Sequence, residues 1–573
     1  MRRDEALDPR NPHKHGSHPW YLVIWLTGVD YFSTLGYQPG IALLAAGALS
    51  PIATAVLVAV TLLCALPIYM QVAGRSFAGL GSIAMLENLL PGWWGKFMVL
   101  VLLGFATTDF VITMTLSASD AARHATQNPY LHALLGDANL RVTLVLLALL
   151  AAVFLKGFTE AIELATAVCV PYLLLNVVVL GRALVEVMTH PSALPQWQGA
   201  LKAQGDWKQL ALGAAILFPR LALGLSGFET GVSVMPLIRG AETDATEDHP
   251  QGRIRNTRKL LAAAALIMSV LLLVSSFVSV LLIPVETYRE GGPASGRAIA
   301  YLAHEYLGNV FGSVYDLSTI LVLWFAGASA MAGLLHLVPR YLPRVGLAPE
   351  WVAYARPLVL LLFGVDVVVT LTFGANVEAQ GGAYATGVLV LMLSAAIAAA
   401  ISLWKEHSRS LSIYCWGVGL VFGYTTVANV IERTDGIIIA GCFIVFIVTV
   451  SGVSRYWRAR ELRVGGHRFA NAESQRLWSL LVDKKVNMVP IGSLELPART
   501  ARAAQLRKHY NVEGVLVFVH VRLLDNRSEF LSPLEITVRQ ENGQYLVEAS
   551  QAVAKANAVA YISELLHPAA IYL

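Results

Sequence analysis

Carboxylates inside long apolar stretches are the residues of this chain with the most distinctive chemistry. Asp109 lies midway along an apolar stretch of residues 96–123, and Thr113 and Ser117 follow it at i+4 and i+8. On a helix these three oxygen-bearing side chains share one face. A carboxylate with two hydroxyls suits a hard cation that prefers oxygen ligands. The alternative role for Asp109 is a hydrogen bond between helices.

Three further carboxylates fall in apolar sequence. Asp30 follows the run WYLVIWLTGV, Asp366 has only Thr370 on its face at i+4, and Glu229 lies in GLSGFET. A charged side chain at the centre of a bilayer costs about 2.5–3.5 kcal/mol on insertion scales, so each is a functional candidate. For Asp366 a structural and a functional role are equally supported. For Glu229 the bracing of a half-helix is favoured over contact with a substrate.

The elements that position these carboxylates must lie in a membrane. The chain has 573 residues, of which 56% are hydrophobic and 14% charged, whereas about a quarter of the residues of a soluble protein are charged. A helix needs about 20 residues to cross the hydrocarbon core. Twelve spans are predicted, at about 20–46, 51–73, 96–123, 141–155, 162–184, 208–236, 260–284, 311–336, 356–374, 381–403, 411–430 and 436–455.

Two of these spans contain helix-breaking residues at matching positions. Span 1 contains GYQPG at residues 36–40, and span 6 contains LALGLSGFETGVSVMP. Both helices are predicted to break, because unwound backbone in a membrane lines a cavity or is buried in protein. Spans 1–5 and 6–10 then form two inverted repeats in a LeuT-like 5+5 arrangement, with spans 11 and 12 added. The alternative is that the glycines only allow close helix packing.

The charge distribution predicts the orientation and the domains. Loops rich in Lys and Arg, such as residues 253–259 and 340–356, face the cytoplasm, whereas residues 125–140 and 374–382 contain neither residue type. Both termini are therefore predicted to be cytoplasmic. We predict a leader at residues 1–19, a twelve-helix core at 20–455 and a cytoplasmic α+β domain at 456–573. In this domain, residues 514–523 and 534–550 are predicted strands, with Asn542 and Gly543 at a turn, and 552–566 is a predicted helix.

Enzyme motifs are missing from the sequence. It contains no HExxH or GxSxG, and none of its fourteen histidines falls in the middle of a predicted span. The membrane part is therefore predicted to be a secondary transporter and not an enzyme.

Four motifs resemble one transporter family. The segment from Asp30 to Tyr37 (DYFSTLGY), the spacing of Asp109, Thr113 and Ser117, the segment GLSGFET and the segment GGAYATGV with Tyr384 are similar to motifs of the KUP-type and KimA-like potassium transporters of the APC superfamily. Ser226 stands where these transporters have threonine, and Phe110 stands where they have tyrosine.

The resemblance implies a potassium importer with proton symport in the cell (inner) membrane. It implies a potassium site in mid-membrane, with Asp30 and Asp109 as anionic ligands or proton carriers. The neutral ligands that it implies are Tyr37, Thr113, Ser117, Ser226 and Tyr384. It further implies a homodimer formed through the C-terminal domain; no cofactor and no nucleic-acid partner are expected.

Two alternatives remain open. An amino-acid permease of the same superfamily holds the substrate carboxylate on Gly-rich backbone at the break of span 1, but here the charged Asp30 lies next to the segment TLGYQPG, which favours a cation. The other alternative is a sensor or receptor. In such a protein the soluble tail carries the activity, and the membrane part only reports a signal to it.

Overall fold

The structure is a computed structural model of the whole chain. The residues that it describes are 18–76, 81–89, 92–157, 162–241, 244, 250–289, 291–341, 354–461, 466–482, 484–492, 494–510, 512, 514–523, 533–541, 543–552 and 554–572. Residues 1–17 of the predicted leader and Asn542 of the predicted turn lie outside the described residues. The chain divides into two compact units, one of residues 1–338 and 354–448, the other of residues 339–353 and 449–573.

The described part of the chain up to residue 461 is built from helices. In chain order these are α1 (Trp20–Ala46), α2 (Ser50–Val60), α3 (Leu66–Arg75), α4 (Gly81–Leu89), α5 (Gly92–Thr126), α6 (His132–Leu135), α7 (Asn139–Leu155), α8 (Ile162–Thr189), α9 (Ala193–Lys202), α10 (Trp207–Leu217), α11 (Phe228–Ser233), α12 (Gln251–Leu282), α13 (Val285–Tyr288), α14 (Ala298–Tyr341), α15 (Ala355–Phe373), α16 (Val377–Lys405), α17 (Arg409–Glu432) and α18 (Thr434–Glu461). A π-helical turn, Thr61–Ala65, joins α2 to α3.

Among the described residues, ten helical stretches are long and apolar enough to cross a membrane. The first of them, Trp20–Arg75, is 56 residues long, and the apolar helix Asn139–Leu155 is shorter than the ten. The chain is therefore a helical, multi-pass membrane protein. α16 packs against α5 and α17, while α1 packs against α8 and α12.

The predicted break in span 1 is wrong. α1 runs from Trp20 to Ala46 with Pro39 inside it. A proline removes only one backbone donor, and tertiary contacts of membrane helices tolerate this loss. The glycines serve packing: an added Cβ at Gly40 would lie 2.9 Å from the backbone of Gly296, and one at Gly36 would lie 3.3 Å from the Asp120 carboxylate. The close-packing alternative is thus the correct one for α1.

The predicted break in span 6 is confirmed. A 3-10 segment, Phe218–Leu225, follows α10, and Ser226 is extended with φ −61° and ψ 164°. Gly227 then adopts the left-handed conformation with φ 90° before α11 begins at Phe228. Only glycine adopts this φ without strain, and a side chain here would overlap the Tyr31 ring. The segment therefore presents backbone and side chains at an angle that a straight helix does not allow.

α14 contains a second sharp bend. Gly308 has φ 81° and ψ 166°, which is not helical, so α14 consists of two helices that meet at this glycine. The bend brings His304, before it, to within 2.8 Å of Asp316, after it. Residues that twelve positions of straight helix would separate by about 18 Å are thereby in contact.

The second unit contains a six-stranded sheet of order β1-β4-β5-β3-β2-β6. Its strands are β1 (His467–Phe469), β2 (Val486–Ile491), β3 (Val515–Leu523), β4 (Leu534–Glu541), β5 (Gln544–Ala552) and β6 (Ala570–Ile571). Its helices are α19 (Ala472–Val482), α20 (Leu496–Tyr510) and α21 (Lys555–Leu566). The predicted hairpin is confirmed by the antiparallel pair β4 and β5, and the predicted C-terminal helix by α21.

The layers of this unit differ from the predicted α+β arrangement. Four strand pairs are parallel, and β4 and β5 form the antiparallel pair. One face of β3 packs with Trp478 of α19 and Ile562 of α21, and the opposite face packs with Leu506 of α20. Burial on both faces explains the nearly continuous apolar sequence of β3. The unit is thus a three-layered α/β arrangement, and β1, β2, β6, α19 and α20 were not predicted.

Candidate functional site

One face of α1 supplies the first wall of the candidate site. Asp30, Thr34 and Tyr37 follow one another at helical spacing, so their side chains share a face. The Tyr37 hydroxyl lies 3.5 Å from Thr34 Oγ1 and donates to it. Thr34 was not among the predicted site residues, although its position at i+4 from Asp30 is the same signal that singled out Thr113 beside Asp109.

The broken segment supplies the second wall. The Ser226 hydroxyl lies 3.4 Å from Thr34 Oγ1, and the Thr230 hydroxyl donates to Asp30 Oδ2 at 2.7 Å. Both contacts depend on the turn at Gly227, because Ser226 precedes it in extended conformation and Thr230 follows it on α11. The break therefore places two hydroxyls against the polar face of α1.

α5 and α16 supply the third wall. The two helices approach closely at Gly387, where an added Cβ would lie 3.1 Å from the Cβ of Asp109. Tyr384, one turn earlier on α16, faces both the Asp109 carboxylate and the Ser226 hydroxyl. Asp109 Oδ1 is buried and has no hydrogen-bond partner among the residues that the structure describes. An oxygen in this position is available to a ligand.

The two predicted hydroxyl ligands on α5 are buried beside Asp109. Thr113 is 8% exposed and Ser117 is 2% exposed. The Thr113 hydroxyl donates to the Asp109 carbonyl oxygen at 2.8 Å, which orients its remaining lone pairs away from its own helix. The Thr113 oxygen can therefore still act as an acceptor. Ser117 lies two turns from Asp109 on the same face, and no hydrogen bond joins it to the other site residues within the described ranges.

The charges of the site are negative. Asp30 and Asp109 lie close enough to repel each other electrostatically, and Glu229 adds to the repulsion at Asp109. The opposing contacts that stabilise these two carboxylates, within the part of the chain that the structure describes, come from the neutral side chains of Thr230 and Tyr384. Two carboxylates in a membrane without a basic partner need a cation or a proton to compensate their charge.

Glu229 braces the broken segment, as the sequence favoured. Its Oε1 accepts hydrogen bonds from the Ser82 backbone N–H at 3.0 Å and from the Ser82 hydroxyl at 3.3 Å. Ser82 lies in the first turn of α4, whose N-terminal donors attract a carboxylate. Glu229 therefore ties α11 to α4 while it contributes negative charge to the site.

Two residues that the sequence raised lie elsewhere. Asp366 is 1% exposed and lies on α15, whose apolar residues pack with α5, α7 and α14. Phe110 packs on this same side, because an added Cβ at Gly333 of α14 would lie 2.8 Å from the Phe110 ring. The Phe110 ring therefore points away from Tyr384 and Ser226.

A buried charged cluster near the C-terminal end of α5 was not predicted. Asp316 Oδ1 lies 2.7 Å from Arg297 Nη2 and 2.8 Å from His124 Nδ1. Its Oδ2 accepts from Asn128 Nδ2 at 2.9 Å. His124 and Asn128 are four residues apart, but 192 residues separate His124 from Asp316, so no local spacing relates Asp316 to these two partners. His124 lies near the end of its predicted span, and no histidine falls in the middle of one.

A second ion pair lies beside this cluster. Arg123 of α5 binds Glu378 of α16 through two hydrogen bonds of 2.7 and 3.0 Å. Asp120 lies one turn before His124 and is fully buried. The spacing of Asp120 and His124 at i and i+4 is a local signal for this cluster that the sequence contains.

Comparison with known proteins gives no assignment. No protein-family model matches this chain, and no curated protein is significantly similar to it.

Proposed function

We propose that the chain is a secondary transporter that imports potassium with proton symport. The observation that supports this best is the oxygen-lined site between α1, the Gly227 turn, α5 and α16. Potassium is held by several oxygen ligands that replace its hydration shell. Asp30, Asp109, Thr113, Ser226 and Tyr384 provide such oxygens, with Tyr37 and Ser117 next to them, and the negative charges compensate the cation.

The proposed topology has twelve spans with both termini in the cytoplasm. The stretch Trp20–Arg75, 56 residues long, is counted as two spans because a single one needs about 20 residues. Asn139–Leu155 is counted as one further short span. This topology keeps the proposed 5+5 arrangement. Span 1, the first of the first repeat, is continuous, whereas span 6, the first of the second repeat, is broken. The homodimer through the C-terminal unit belongs to the same proposal.

The continuous α1 argues against the permease alternative. A permease binds the substrate carboxylate with backbone N–H groups that an unwound first helix leaves free. Here the segment from Gly36 to Gly40 is helical, so its N–H groups serve helical hydrogen bonds. Asp30 and Asp109 would in addition repel a substrate carboxylate.

Uptake of labelled potassium into liposomes that contain the purified full chain tests the proposal. We expect uptake by the wild type and almost none by Asp109→Asn, which keeps the size of the side chain but removes its charge. Asp366→Asn is the matched control, because it neutralises another buried carboxylate outside the site. Normal uptake by Asp109→Asn excludes the proposed role of Asp109, and accumulation of a labelled amino acid without potassium favours the permease.

A further inference from the structure

A pair of buried polar side chains near the C-terminal end of α5 has no role in the potassium site. Asp120 and His124 are both 0% exposed. Neither oxygen of the Asp120 carboxylate, nor Nε2 of His124, has a hydrogen-bond partner among the residues that the structure describes. The two residues are one helical turn apart, so their side chains are neighbours on one face.

We propose that Asp120 and His124 form a proton-binding site, separate from the potassium site, that couples proton movement to transport. The proposal rests on the proposed function. Asp120 follows Asp109 on α5 by eleven positions, which is about 16 Å at 1.5 Å per residue. In the proposed orientation this end of α5 faces the outside of the cell, from which the proton enters.

The contacts of Asp316 determine which nitrogen of His124 is available. Asp316 receives two hydrogen bonds from Arg297, at 2.7 and 3.0 Å, so it is ionised and can only accept. His124 Nδ1, 2.8 Å from Asp316 Oδ1, must therefore carry the hydrogen. In the neutral imidazole Nε2 is then the unprotonated nitrogen. His124 is held as a proton acceptor, because its basic nitrogen Nε2 is the one without a partner in the described part of the chain.

Among the residues that the structure describes, the neighbouring charges leave Asp120 without a dedicated counter-ion. The charged groups that face it are Arg123, His124, Arg297 and Glu378. Arg123 pairs with Glu378 through both Nη1 and Nη2, and Arg297 pairs with both oxygens of Asp316 through Nη2. Each of these two ion pairs has no net charge. The Asp120 carboxylate and the neutral His124 imidazole together carry one negative charge, which one proton compensates.

The phenols around Asp120 do not compete for this proton. Tyr37 of α1, Tyr172 of α8 and Tyr315 of α14 are the tyrosines that face Asp120 electrostatically. A phenol is neutral throughout the physiological pH range. The Tyr315 hydroxyl donates to Asn176 at 3.0 Å, so its hydrogen is already engaged.

The network reaches the surface at His304. Its Nε2 lies 2.8 Å from Asp316 Oδ2, and its side chain is 14% exposed, whereas that of Asp316 is 1% exposed. In the proposed step His124 Nε2 takes a proton from a hydronium ion, which becomes water, and the ring becomes imidazolium. The imidazolium then gives a proton to Asp120, which becomes a neutral acid while His124 returns to the neutral state.

Protonation of Asp120 acts on α1. A Cβ added at Gly36 would lie 3.3 Å from Asp120 Oδ2, so the carboxylate is in contact with the backbone of α1, next in sequence to Tyr37. Loss of its charge changes the electrostatic environment of the helix that carries Asp30. The proton and the cation therefore bind at different places along one pair of helices.

Proton entry that accompanies potassium uptake is measured in liposomes containing the full chain and an enclosed pH-sensitive dye. We expect Asp120→Asn and His124→Gln to bind potassium like the wild type, as measured by potassium-dependent thermal stabilisation. Both variants should lose the potassium uptake that a pH gradient alone drives. Asp366→Asn should retain both. Wild-type proton entry in Asp120→Asn overturns the proposal.

A second measurement separates this site from the proposed function. Infrared difference spectra of the purified protein on acidification should contain the carbonyl band of a protonated carboxylic acid, and this band should be missing in Asp120→Asn. If the wild type does not bind potassium but the band behaves in this way, the proton site stands and the proposed cargo fails. A band that is unchanged in Asp120→Asn overturns the proton site whatever the cargo.

Discussion

The hydroxyl of Thr230 donates a hydrogen bond of 2.7 Å to the carboxylate of Asp30. It joins α11, the helical part after the Gly227 turn, to the middle of α1. Because the carboxylate is oriented from outside its own helix, a movement of the broken segment changes the position of an anionic oxygen in the site. The residues are 200 positions apart in the sequence, so the relationship depends entirely on the fold.

Thr230→Val tests this relationship, since valine has nearly the same shape and lacks the hydroxyl. Loss of one hydrogen bond to a charged group costs about 1.5–3 kcal/mol, so apparent potassium affinity should fall roughly tenfold or more while the maximal rate changes less. Thr372→Val is the control, because the Thr372 hydroxyl bonds the Val368 carbonyl on the exposed side of α15. An unchanged affinity in Thr230→Val would show that Asp30 does not need this donor.

The continuity of α1 gives a second prediction. Pro39→Ala should fold and transport normally, since alanine restores a backbone donor and favours a helix. Gly40→Ala should lose folded protein, because the added Cβ would lie 2.9 Å from backbone atoms of Gly296, which cannot move aside as a side chain can. Thermal denaturation in detergent and potassium uptake measure both effects. If Pro39→Ala abolished uptake while the protein stayed folded, α1 would have to unwind during transport.

Spacing along the sequence predicts which residues share a helix face, but not which faces meet. The faces of Asp30 and Tyr37 on α1 and of Asp109 and Thr113 on α5 follow from helical periodicity. Contacts such as Ser226 with Thr34 at 3.4 Å depend on the packing of four elements.

Glycine and proline patterns are ambiguous for a related reason. In α1 and in the segment around Gly227 the same residue types occur, yet one packs as a straight helix and the other breaks. At Gly40 the need for glycine comes from the backbone of Gly296, which packs against it. At Gly227 it is the left-handed φ of the glycine itself. Neither factor is visible in the local sequence.

Asp244 gives a prediction of pH dependence outside the membrane helices. Burial alone would raise the pKa of this carboxyl, but hydrogen bonds from the backbone N–H groups of Gly252, Arg253 and Ala241, at 2.9, 2.8 and 3.2 Å, hold it below its usual value. The contacts lie at the first turn of α12, where a carboxylate satisfies donors that have no helical partner. The ionised form therefore stabilises the folded state.

Asp244→Ala should lower the free energy of unfolding by about 1 kcal/mol at neutral pH. Since the folded pKa is depressed, the stabilisation is complete above the unfolded pKa, near 4, and is lost as the pH falls through the folded pKa. The melting temperatures of wild type and variant should thus differ at neutral pH and converge only as the pH falls from about 4 through the folded pKa. Asp137→Ala is the control, since this exposed residue makes no hydrogen bond to backbone within the described ranges. A difference that persisted at acidic pH would contradict the ionic origin.

The C-terminal unit offers the sharpest test of independent folding. Leu480 and Leu481 are adjacent on α19, yet Leu480 is 46% exposed and Leu481 is 0% exposed against the sheet. In a purified fragment of residues 466–573, Leu481→Ala should cost about 2–5 kcal/mol through lost burial and the cavity left behind. Leu480→Ala should cost less than about 0.5 kcal/mol, as a surface substitution.

Urea denaturation followed by circular dichroism compares the wild-type fragment with the two variants. Sedimentation of the same fragment tests whether it forms the proposed dimer. Equal effects of the two substitutions, or a fragment without a cooperative transition, would show that this sheet folds only as part of the whole chain.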